Sequence, residues 1–106
     1  HPDIVQKVMR EWFKAIAYWK SNPQEANAIM AKHYNVTPTD FADIISGLNW
    51  PSYEENLAYF GTQSQPGKIY EIANTFVNIF LKTGQIKARP DMIRAIDQSL
   101  LQSLHE

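Results

Sequence analysis

Proline and glycine in this chain sit at the ends of apolar stripes and not inside them. Proline costs about 3 kcal/mol or more in a helix interior but nothing at the first turn, where its missing N–H has no partner to lose. Pro2, Pro23 and Pro38 each stand at the head of such a stripe. Ile4, Val5, Val8, Met9, Trp12, Phe13, Ile16 and Trp19 recur at threes and fours, the spacing of one face of a helix. No segment alternates with period two over strand length. The expected fold class is therefore all-α, with six helices near 3–20, 22–33, 38–46, 52–60, 67–83 and 91–104, joined by short loops.

Capping residues support these starts. Asn22 precedes Pro23 and stands three residues before Glu25, and Thr37 precedes Pro38 and stands three before Asp40. Ser52 and Glu55 repeat the spacing behind Pro51. The face expected to be buried on 22–33 is Ala26, Ile29 and Met30, with His33 or Tyr34. On 38–46 it is Phe41, Ile44, Ile45 and Leu48, and Gly47 is expected to supply a left-handed stop. On 67–83 it is Ile69, Ile72, Ala73, Phe76, Ile79 and Phe80, ending at Gly84. On 91–104 it is Met92, Ile93, Ile96, Leu100 and Leu104.

At 106 residues the chain is one domain or less, a single helical segment over 1–106, and buries roughly 65% of its unfolded surface when compact. The net charge of −1 makes no electrostatic case for nucleic acid or an anionic membrane. Lys82, Lys87, Arg89 and Arg94 form a loose basic run that reads as a solvated helix end. No apolar run approaches the roughly 20 residues of a membrane span. The absence of cysteine removes disulfides, thiolate catalysis and cysteine-bound zinc together. The chain opens at His1 without an initiator Met, so a mature or trimmed edge of a longer protein is expected.

Little in the chain is arranged for catalysis. His1, His33 and His105 are far apart, and none has a second ligand one turn away, so no metal and no cofactor are expected. Glu54 and Glu55 are adjacent and point about 100° apart on a helix, a poor acid–base pair. Asp40 is accounted for by capping. There is no Gly-x-Ser-x-Gly turn and no phosphate-binding glycine loop. The chain is read as a non-enzyme. Residues 48–61, "LNWPSYEENLAYFG", hold four aromatics in fourteen residues. Leu57 and Phe60 share a helix face and are expected in the core. Trp50 and Tyr53 flank a proline-broken turn, where a ring either packs or meets a ligand. They are the candidate ligand-binding residues, with Tyr59 behind them.

The order of these segments resembles the C-terminal helical part of the substrate-binding proteins of ABC importers for nitrate, taurine, aliphatic sulfonates and thiamine precursors. The matching elements are His1-Pro2-Asp3, the aromatic helix from Trp12 to Trp19, Asn22-Pro23-Gln24-Glu25-Ala26 and Asn35-Val36-Thr37-Pro38. They continue with Asn56-Leu57-Ala58-Tyr59-Phe60, Gly84-Gln85-Ile86 and Pro90-Asp91. The final "IRAIDQSLLQSLHE" departs from the family in looking more continuously helical. The resemblance implies a fragment of a larger two-lobe α/β protein, extracytoplasmic and associated with the membrane through its permease, which captures a small solute between closing lobes. It also implies that Trp50 and Tyr53 lie on the cleft's rim. The chain alone is then expected to self-associate, most simply as a dimer, over the face that lost its cover. The alternative is a free-standing helical module that binds a partner helix or peptide.

Overall fold

The computed structural model describes residues 1–105, with side chains for 1–104. Seven helices follow one another: α1 (Pro2–Ser21), α2 (Pro23–Tyr34), α3 (Pro38–Ile45), α4 (Tyr53–Phe60), α5 (Lys68–Lys82), α6 (Met92–Ala95) and α7 (Ser99–Gln102), with a closing 3₁₀ turn at Ser103–His105. The fold is all-α, and among the described residues the isolated β-bridge is an antiparallel pairing of Gly61 with Pro66. The first five helices start and stop within a residue or two of the expected positions. The chain divides into two compact units: Lys7–Ser52, and His1–Gln6 together with the chain from Tyr53 onward.

In Lys7–Ser52, α2 packs on α3 around Ala31, Phe41 and Ile45, with Trp19, Met30 and Val36 against them. Burying a ring such as Phe41 stabilises by about 1.5–3 kcal/mol. α2 buries the expected Ala26 together with Ala31, which is 1% exposed, whereas the expected Ile29 and Tyr34 are 51% and 71% exposed. An alanine suits this place because the helix–helix gap is narrow and a larger side chain there would have to displace Phe41 or Ile45. Ile44 and Leu48 are likewise exposed, so the buried stripe of α3 is two residues wide.

Of the three expected caps, those at Asn22 and Thr37 differ. Thr37 Oγ1 accepts the Asp40 N–H at 3.1 Å and donates to the Asp40 carboxylate at 2.7 Å, closing the N-terminus of α3. Asn22 occupies the cap position of α2 but makes no side-chain cap bond. Its N–H and its side-chain amide both donate to the Tyr18 carbonyl, at 2.8 and 3.2 Å, finishing α1 instead. Glu25 turns to the Tyr18 hydroxyl and pushes its pKa upward. Thr37→Ala is accordingly expected to cost about 1–2 kcal/mol, and Asn22→Ala under about 0.5 kcal/mol. Equal losses in chemical denaturation would refute this account of the two caps.

Helix ends also differ from expectation at Gly47. The left-handed residues are Gly61, Gly84 and Asn35, the last at φ 55°. Asn35 ends α2 and sends its N–H back to that helix's last turn. Gly47 needs no positive φ, because Ser46 and Leu48 close α3 by bonding back to Asp43 and Ile45.

The other unit buries Tyr70, Val77, Gln98 and Leu101. Val77 and Tyr70 take the interior of α5, while Phe76, Ile79 and Phe80, expected inside, are 54%, 48% and 38% exposed. Gln6 Nε2 donates to Ser103 Oγ at 2.6 Å, tying the first turn of α1 to the chain's last turn. Arg89 donates to the side-chain oxygens of Asn74 and Asn78, fastening the segment after α5 back onto it. Leu57 and Phe60 are half-buried.

The expected continuous helix over 91–104 is broken. Ile96 is extended at φ −113°, ψ 111°, separating α6 from α7. Asp97 Oδ1 accepts the Ser99 N–H at 2.9 Å, an interaction that competes with the helical ladder. The break turns Gln98 inward, where Tyr70 OH donates to its Oε1 at 3.2 Å.

Candidate functional site

The three residues singled out in the sequence part company. Tyr53 opens α4, and its hydroxyl donates to the Leu101 carbonyl at 3.0 Å, clamping the last helix. Burial and then the Glu54 carboxylate push the Tyr53 pKa upward. Tyr59 lies edge-on to Phe60, with ring centroids 5.8 Å apart. Trp50 belongs to the Lys7–Ser52 unit, in the extended segment that Pro51 enforces.

There Trp50 meets the aromatic side of α1. Its centroid lies 5.9 Å from Trp12, tilted by 52°, and 6.0 Å from Trp19, edge-on at 80°. Both arrangements fit the quadrupole preference of aromatic pairs, about 0.5–1.5 kcal/mol each beyond area burial. Trp19 is held in place by its indole N–H, which donates to Asn27 Oδ1 at 2.8 Å. Tyr34 stacks on Phe41 at 5.7 Å. Together these rings enclose an open concavity of about 310 Å³, closed by Met30, Ile16 and Ile45. Trp12, on the apolar face of α1, is 53% exposed and lines this concavity.

The chemistry of the concavity follows from its walls. None of its lining residues is charged, so an ion placed there would lose hydration without compensation. It suits a flat ring or an apolar side chain. One polar demand is unmet. The Trp50 Nε1–H is sealed from water and meets no acceptor, which costs about 1–3 kcal/mol. Sequence reasoning found Trp50 through its place beside Pro51 but not its neighbours, because Trp12, Tyr34 and Trp50 are far apart in the chain.

Among the described residues no three His, Asp or Glu side chains gather as metal ligands, and no helix is long and apolar enough to cross a membrane. Comparison with known protein families, with characterised proteins and with solved structures finds no match.

Proposed function

We propose that this chain is the C-terminal helical portion of an extracytoplasmic solute-binding protein, which delivers a small solute such as nitrate, a sulfonate or taurine, or a thiamine precursor to an ABC permease. The observation that carries the reading is uncovered surface. The chain exposes 8185 Å². A compact monomer of its size exposes about 6,100 Å², and even two separate compact bodies of the sizes of its units would expose about 7,300 Å². The excess of at least about 900 Å² falls in the range of an interface between domains of one chain. Much of it is apolar: Val8 is 64% exposed, Ile44 65%, Phe76 54% and Ile93 56%. The break at Ile96–Gln98 supports the reading further, because it removes the departure from the family noted at the chain's end.

In this reading the helices brace one lobe, and the solute is captured reversibly with no bond made or broken. The rim role narrows to Trp50, whose uncharged concavity fits the ring of a thiamine precursor rather than a nitrate or sulfonate ion. Tyr53 and Tyr59 brace α4. The protein works in the periplasm or outside the cell, bound to the membrane through its permease. The aromatic concavity favours a second reading, a free-standing helical module that receives an apolar side chain of a partner helix or peptide.

The chain by itself separates the two. Cover lost from a lobe predicts a dimer in light scattering and binding of an apolar dye, since an excess of this size matches the roughly 800 Å² that each partner buries in a standard interface. A monomer that stays clean at high concentration and binds no dye would sink the transporter reading and leave the module. The coding sequence ahead of His1 gives a second check, where an α/β stretch is expected.

A further inference from the structure

The geometry points to a second site, in the unit that begins at Tyr53, for a small zwitterion: a free amino acid with a short aliphatic side chain. It is independent of the transporter reading.

The site is the cavity of about 370 Å³ created by the break between α6 and α7. That volume lies within the ordinary range for small-molecule sites. Its base is Gln98, a polar side chain only 5% exposed. Tyr70 uses the Gln98 Oε1, and the Nε2 meets no acceptor among the described residues. Unlike the Trp50 indole, this amide nitrogen is not sealed from water, and Gln98 lines the cavity. A buried amide with a spare donor is a demand for an acceptor.

Two opposite charges line the same cavity. Arg94 lines the cavity, and among the described residues its guanidinium has no ion pair; its carboxylate-bonded group is the backbone N–H, held by Asp91. A guanidinium takes a carboxylate in a planar fork. Asp97 lines the cavity too. The Ser99 hydroxyl and then its N–H hold the Asp97 carboxyl below its usual range, so it stays anionic at neutral pH. Gln102 donates its Nε2 to the Gly61 carbonyl at 3.0 Å, which leaves its Oε1 as an acceptor. One set of groups therefore calls for a carboxylate, and the other for an ammonium. Ile93 and Ile96 supply the apolar wall on which an aliphatic side chain rests.

Three compounds of nearly the same skeleton test the assignment by amide chemical-shift perturbation: L-alanine, propionate and propylamine, each titrated into the intact chain at millimolar concentration. L-Alanine is expected to shift residues 93–102 saturably. Propionate and propylamine each lose one ionic partner, and are expected to bind at least about tenfold more weakly, the equivalent of 1.4 kcal/mol. Arg94→Gln, at an exposed position that leaves the fold intact, is expected to abolish the L-alanine response. Gln102→Ala is expected to weaken it. Propionate binding as tightly as L-alanine would overturn the zwitterion assignment. No saturable shift with L-alanine, or an undiminished one in Arg94→Gln, would overturn the site.

Discussion

Gly67→Ala is expected to lower stability by about 3 kcal/mol, a loss large for a single methyl group. The loop between α4 and α5 is pinned by backbone bonds that leave no room at its neck. The Gly67 N–H donates to the Phe60 carbonyl at 3.1 Å, the Thr62 N–H to the Gln65 carbonyl at 2.9 Å, and the Gln65 N–H to Thr62 Oγ1 at 3.0 Å. A Cβ at Gly67 would run into the Tyr59 carbonyl oxygen and the Gly61 nitrogen, both backbone atoms that cannot step aside. The cause is close approach, because Gly67 itself is extended at φ −80°, which any residue adopts. At Gly61 the same clash with Gln65 and Gly67 is joined by φ +67°, so Gly61→Ala carries a conformational penalty as well. Chemical denaturation of both variants decides the matter. A loss below about 1 kcal/mol at Gly67 would mean that the neck opens freely and that the crossing of the two strands is not constrained.

That neck shows where the sequence stops being legible. The polar stretch "TQSQPG" over 62–67 marks a loop, but the pairing of Gly61 with Pro66 depends on backbone meeting backbone and leaves no hydropathy pattern. Helix starts were readable because caps and prolines act locally, over three or four residues. Which face of each helix is buried was less readable. The stripes on α1 and α5 have the right period, yet Val8, Trp12, Phe76 and Ile79 lie open. Periodicity reports that a face is apolar; it does not say what covers it. The last helix failed for a different reason. Apolar spacing continues through Ile96, but the Asp97 carboxylate takes the Ser99 N–H two residues on, a local turn that competes with the helical ladder and prevails over the spacing.

The site was legible in part. Trp50 was reached through its position beside Pro51, a local feature. Tyr53 came with it for the same reason, but its hydroxyl is engaged by Leu101, 48 residues on, a distance over which sequence spacing carries no information. Gln98 was invisible because a glutamine between Asp97 and Ser99 looks solvated. The break in the backbone turns it inward, and the Tyr70 hydroxyl holds it there.

Trp50→Ala is expected to cost about 3 kcal/mol, near the lower end of large-to-small aromatic losses because the ring is half-buried and not enclosed. Two aromatic contacts vanish with it, to Trp12 and Trp19, and the concavity loses one wall. Trp50→Phe distinguishes ring from N–H. It keeps a ring between Trp12 and Trp19 and removes a donor that is sealed from water without an acceptor. The relief of about 1–3 kcal/mol from that donor offsets the smaller ring's lost packing, so Trp50→Phe is expected within about 1 kcal/mol of the parent. Thermal and urea unfolding of the three proteins gives the comparison. A Phe variant as unstable as the Ala variant would show that the indole N–H has an acceptor in solution after all. In the longer solute-binding protein proposed above, the same pair tests function: affinity that falls in Trp50→Phe at unchanged melting temperature would place the indole against solute. Affinity that holds while Trp50→Ala loses stability makes Trp50 a packing residue and removes it from the cleft.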